Sequence, residues 1–281
     1  MERGAGAGQS VRHGGAETGS VVARTARTGH LIAAGAAMFA LPWLVWGSAI
    51  AQAHGLIGWR LLQGLALWVL TPSVVLVTAL IGGRPALLDL GCRLVVWRVP
   101  PVTYLAAPAM PVVVATAAVA LAAALGHRPH LGAMMSLPSA LAYLGYGVGL
   151  YLLTEEAGWR GLLLPRLQAR MRPAWANLLL GVVWSVWHYP LLHVPGESDN
   201  GLPFAGFLLL TTGTTVLIGA LVNAAGGSVL VAALFHAAFN ATYSYTGVVG
   251  PDHTPLWTAA TVSAVLAVAL STATRGTLLR R

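Results

Sequence analysis

The sequence has no lysine, a single cysteine and only eight acidic residues in 281. Each scarcity excludes something. The lone Cys92 can close no intrachain disulfide and build no cysteine-based metal cluster. Charged residues make up 9% of the chain, where a soluble domain carries about 25%. Hydrophobic residues make up 57%, in repeated long runs, which points to an integral membrane protein built from helices rather than a barrel. All sixteen basic residues are Arg, and the formal net charge is +8. They are spread over loops and both ends of the chain. With no basic stripe interleaved with aromatics, nucleic acid is not expected as a partner. Nothing in the sequence attaches a mechanism to the missing lysine.

Residues 1–30 hold Gly, Ala, Ser, Thr and Arg with almost no large apolar side chain, so they cannot bury a core and are expected to form a disordered cytoplasmic tail. From about 31 to 275 the sequence predicts one α-helical membrane domain. The apolar runs fall at about 31–53, 61–82, 102–125, 138–158, 174–194, 204–223, 227–247 and 255–274, giving about eight transmembrane helices. The first run ends in Ala51-Gln52-Ala53, a weak signal-peptidase pattern, but its length and its Trp43 and Trp46 favour a retained span. The stretch 83–101, with Asp89, Arg93 and Arg98 among Leu, Val and Trp, reads as an interfacial helix, and the fourth span reads as continuing past Arg160 as an amphipathic extension.

Arginine placement tests this count. With the N-terminus inside, fourteen arginines fall on inner segments, and only Arg60 and Arg128 on outer loops. That bias supports eight spans with both termini cytoplasmic, and the membrane expected is the plasma membrane. It also puts the end of the fourth span near the cytoplasm, at a depth reachable from that side. Neither an internal repeat nor a matching pair of interrupted helices is visible, which weakens a transporter reading.

The acidic residues that interrupt an apolar helix are the neighbours Glu155 and Glu156, followed by Arg160. A charge at membrane depth costs roughly 3 kcal/mol or more, so the stretch is a candidate functional site. Glu156 and Arg160 are four apart and can pair on one helix face, while Glu155 is rotated about 100° away. Two further polar clusters lie inside spans. His188 follows Trp184 by one turn, and Asn240 follows His236 by one turn. Two carboxylates, two imidazoles, a carboxamide and an arginine can activate a water and stabilise an oxyanion. The same Glu and His groups would also suit a metal-dependent hydrolase, although no H-E-x-x-H helix is present. A buried Glu/His chain equally suits a proton-coupled or non-catalytic immunity protein.

Glu155-Glu156-x-x-x-Arg160, then Trp184 with His188, then His236-x-x-x-Asn240, resembles the CAAX protease and bacteriocin-processing family of intramembrane glutamic endopeptidases, which includes the Rce1-type prenyl-protein proteases. The resemblance covers residues 138–247. Trp184 stands where the family more often has Phe. The resemblance implies an all-α, eight-helix protein with a conical intramembrane active-site cavity. It implies a peptide or membrane-associated protein substrate, the lipid bilayer as surroundings, and no cofactor or metal. Glu155 would be the general base working with His188, His236 and Asn240 the oxyanion hole, Glu156 and Arg160 the supporting pair, and Trp184 a supporting aromatic. Thr211, Thr212, Thr214 and Thr215 either line a peptide cavity or, with Gly213 and Gly219, serve close helix packing.

Overall fold

A computed structural model describes residues 36 and 38–280, apart from Pro129 and Ala133. The expected tail, 1–30, lies outside the described residues. Among those described there is no strand. The helices are α1 (Met38–Ala53), α2 (Leu65–Trp68), α3 (Leu70–Leu94), α4 (Pro101–Ala124), α5 (Leu137–Leu153), a π-helical turn (Ala157–Leu163), α6 (Leu164–Gln168), α7 (Pro173–Trp187), α8 (Phe204–Ala224), α9 (Val229–Thr246) and α10 (Thr254–Ala273).

Local chemistry sets the ends of these elements. Pro101 and Pro173 open α4 and α7 and Pro255 is the second residue of α10, all in a first turn where a missing N–H leaves nothing unpaired. Ser136 and Ser228 cap α5 and α9 by accepting from the N–H groups of Ser139 and Val231. Gly247 ends α9 in the left-handed region, at φ 75°.

The eight predicted intervals each contain a helix, but not eight evident spans. Leu65–Leu94, Pro101–Ala124, Phe204–Ala224 and Thr254–Ala273 are long and apolar enough to cross a membrane, and the bent pair Leu137–Leu153 and Ala157–Gln168 makes a fifth if counted as one span. Those helices fit an integral membrane protein. The shortfall has a physical cause. The 15 residues of α7 rise only about 22 Å, short of a hydrocarbon core of about 30 Å. The second half of α9 is polar, with Asn240, Thr242, Ser244 and Thr246. The predicted interfacial helix is also altered. It ends at Leu94, and it joins the preceding helix through a sharp kink at Gly83 (φ 58°, ψ −151°).

α8 is the buried centre, packed between α7 and α10 through glycines. A Cβ at Gly181 would stand 2.7 Å from the Cα of Thr212, and one at Gly213 would stand 2.9 Å from the carbonyl carbon of Ser263. Such close approach is how helices associate without a hydrophobic drive between them.

The connections gather at two ends. At one end Ser228 Oγ donates to the carbonyl of Val96 (2.6 Å), Asn223 to that of Leu278 (3.0 Å), and the Ala174 N–H to that of Gly276 (3.1 Å). At the other, the Gly132 N–H donates to the carbonyl of Tyr245 (2.8 Å), and His127 pairs with Asp252 (3.0 Å) and Thr254 (3.2 Å). The segments that carry Arg93, Arg98, Arg166, Arg170, Arg172, Arg275 and Arg280 belong to the first end.

Candidate active site

α5 stops at Thr154, whose backbone (φ −105°, ψ −94°) leaves the helical region, and the axis bends by 42° before the π-helical turn begins. The fourth apolar run is therefore a broken element and not one helix with an amphipathic extension. A π-turn inserts extra backbone into a helix and re-aims its side chains. Here glycines let it nest. A Cβ at Gly158 would lie 2.5 Å from Met38, and one at Gly161 would lie 2.7 Å from Leu90. The break places Glu155 and Glu156, both almost wholly buried, on different sides of the element.

Glu156 faces inward to a closed cluster. Its Oε1 accepts from Arg160 Nη1 (2.9 Å) and lies 2.8 Å from His236 Nδ1. Arg160 also donates to Thr215 Oγ1 (3.4 Å), and its guanidinium sits 4.8 Å from the centre of the Trp184 ring. The pairing expected from the four-residue spacing is present, with a second cation-capable partner that spacing did not indicate. An ionised Glu156 makes Nδ1 of His236 the donor, which fixes the imidazole's orientation and leaves Nε2 on its far side.

Glu155 faces a cavity of about 330 Å³, which His188, His236, Asn240 and Trp184 also line. Glu156 and Arg160 do not line it. Glu155 Oε2 accepts from the indole Nε1 of Trp184 (2.8 Å). His188 Nδ1 lies 2.9 Å from the backbone carbonyl of the same Trp184. A carbonyl only accepts, so Nδ1 carries a proton, and in the neutral ring Nε2 is the free base. Glu155 and His188 are thus both held by Trp184, one through its side chain and one through its main chain.

Two tyrosines complete the lining. Tyr151 stacks on His236 with ring centres 3.8 Å apart, accepts from Asn240 Nδ2 (2.6 Å) and hydrogen-bonds the hydroxyl of Tyr143. Neither was singled out in the sequence, although a signal existed. Tyr143, Gly147, Tyr151 and Glu155 recur every four residues and so share a helix face. Asp199, in the segment between α7 and α8, is half-buried at the cavity wall. Burial pushes its carboxyl up, nearby His188 pulls it down and Glu155 pushes it up. No local pattern marked it, because the fold of a loop brings it there. Of the four threonines of α8, Thr211 lines the cavity and Thr215 holds Arg160.

The mouth lies at Gly64, Met134 and Ser198, the exposed residues of the lining. These belong to the end opposite the arginine-rich segments. This reverses one expectation. Glu155 does follow the end of α5 that faces the arginine-rich end, but the cavity that reaches it opens from the other. Among the described residues no group of three or more His, Cys, Asp or Glu side chains is placed to hold a metal ion.

Comparison with known proteins bears on the same stretch. Over 40 residues the chain is 48% identical to CAAX prenyl protease 2 of Methanococcus maripaludis, a match that spans 14% of this chain and 15% of that protein. A family model spans all three motifs: residues 138–242 are similar to the Type II CAAX prenyl endopeptidase Rce1-like family.

Proposed function

We propose that the protein is a membrane-embedded endopeptidase of the CAAX-protease type, which hydrolyses peptide bonds with a water activated by Glu155 and His188. The observation that carries this reading is the shared cavity, where a carboxylate, an imidazole with a free nitrogen, a second imidazole and a carboxamide converge among apolar helices. The Rce1-like resemblance over 138–242 supports it.

In this reading the water gives a proton to Glu155 or to His188 Nε2 as its oxygen attacks the peptide carbonyl carbon. The carbonyl electron pair moves to oxygen, and His236 and Asn240 donate to the resulting oxyanion. The Glu156–His236 bond serves this role, since a buried carboxylate stabilises the imidazolium that must donate from Nε2. Collapse restores the carbonyl, breaks the C–N bond and returns the proton to the departing amine. Each oxyanion donor is worth about 10²–10³ in rate. Arg160 pairs with Glu156 and lies outside the cavity, so it acts through Glu156 and His236 and not on the substrate.

The test compares cleavage products, by mass spectrometry, from membranes holding wild type with those holding Glu155→Gln. Products present in the first and lost in the second are expected. Identical product sets refute the endopeptidase reading.

A further inference from the structure

A second recess, of about 670 Å³, lies at the arginine-rich end and shares no lining residue with the candidate catalytic cavity. Four guanidiniums from four separate stretches line it. They are Arg93 near the end of α3, Arg98 in the connection to α4, Arg160 in the π-turn and Arg280 beyond α10. No acidic residue lines it. Its volume is that of a small-molecule site, about 300–1,000 Å³.

Charge is not balanced there. Asp89 pairs with Arg93 and Glu156 with Arg160, each at 2.9 Å. Arg98 and Arg280 have no side-chain carboxylate partner among the described residues. Arg98 lies over the Trp97 ring (5.0 Å), and Arg280 Nη1 donates to the backbone carbonyl of Gln168 (2.5 Å). Two positive charges are thus left over.

Hydrogen bonding is not complete either. Arg160 is 1% exposed and its Nε has no acceptor, and Gln168 Nε2 is buried without one. Folded proteins seldom leave such donors unmet unless something else meets them. Gly227 (φ 89°) keeps room on the facing wall, because a Cβ there would come 3.1 Å from Arg93 Nη1.

The guanidinium fork matches the oxygens of a phosphate, and a phosphate monoester carries about 1.5–2 negative charges near neutral pH. That charge answers the two unpaired arginines, where a carboxylate would answer one. Basic pockets between membrane helices hold lipid phosphates by the same chemistry. We propose that this recess binds a phosphate monoester group, gripped by Arg98 and Arg280, with Arg93 and the buried Arg160 completing the wall. The group belongs to a lipid headgroup or to a soluble phosphate compound.

The test uses the full chain purified in a neutral detergent, at constant ionic strength. It is titrated with inorganic phosphate and, separately, with phosphatidic acid or phosphatidylcholine in mixed micelles, and thermal unfolding reads the binding. A midpoint that rises and saturates with phosphate or phosphatidic acid, and not with phosphatidylcholine, is expected. Arg98→Gln with Arg280→Gln should weaken that affinity about tenfold or more, since each guanidinium makes charge-assisted hydrogen bonds. Arg60→Gln with Arg128→Gln removes the same charge from residues that do not line the recess and should leave the affinity unchanged. Neither pair belongs to the candidate catalytic cluster. Saturation with phosphatidic acid alone identifies a lipid headgroup, and with inorganic phosphate alone a soluble compound. Saturation with both identifies the phosphate itself as what is recognised. No saturable rise with either probe overturns the proposal, and so does a rise that both double variants keep or both lose. Should the Arg98–Arg280 variant not fold, Arg98→Gln alone, at an exposed position outside the helices, must weaken the affinity about threefold or more. An unchanged affinity in that variant overturns the proposal as well.

Discussion

Trp184 is the residue whose replacement tests the site most directly. Its indole N–H donates to Glu155 Oε2 at 2.8 Å, its carbonyl orients His188, and its ring lies against Arg160. Trp184→Phe keeps an aromatic ring and the backbone carbonyl, and removes only the N–H. A hydrogen bond to a charged group contributes about 1.5–3 kcal/mol. At about 1.4 kcal/mol per decade, losing the group that aims the base lowers the rate by roughly 10- to 100-fold. The fall should appear in kcat, with KM little changed, because the bond positions Glu155 and does not hold substrate. The smaller ring leaves some void, so thermal unfolding of purified protein in detergent is measured alongside. Trp184→Leu, which loses the ring as well, should unfold earlier than Trp184→Phe. An unchanged kcat in a folded Trp184→Phe protein would refute the indole N–H as the group that positions Glu155.

Three further outcomes are expected. Arg160→Met leaves Glu156 buried beside one partner and should destabilise the fold by about 3–5 kcal/mol, while the double change with Glu156→Gln should cost less, both read from thermal unfolding. Tyr151→Phe keeps the stack on His236 and removes the partner of Asn240; a bond worth about 1 kcal/mol predicts a roughly fivefold loss of kcat with the unfolding temperature nearly unchanged. Asp252 is held below the usual carboxylate range by the Thr254 N–H and by His127. Its contribution is therefore present above the unfolded pKa and lost as pH falls through the lowered folded value. Hydrogen exchange at the amides of Thr254 and its neighbours should speed up over that acid window in wild type. In Asp252→Asn it should be fast at all pH.

Much of this protein is legible in order along the chain. The scarcity of charge and the length of the apolar runs announce a helical membrane protein, because each term is set by composition and by the thickness of a bilayer. The three polar clusters are visible because a polar side chain in a greasy helix is an anomaly wherever its partners lie. The Glu156–Arg160 pair is visible because a four-residue spacing is local, and it survives even the change to a π-turn. The tyrosines were legible too, through the spacing of Tyr143, Tyr151 and Glu155. Other features depend on which segments meet. The break at Thr154 is followed by a turn whose Gly158 and Gly161 sit close against α1 and α3, a packing that no local propensity reports. The bond from His236 to Glu156 joins residues 80 apart in sequence, and the wall position of Asp199 depends on a loop. The mouth of the cavity is decided in the same way. Sequence position places Glu155 near the arginine-rich end, but access depends on where side chains leave space. Only the assembled bundle opens the cavity at the opposite end and closes it below with the Glu156–Arg160 layer.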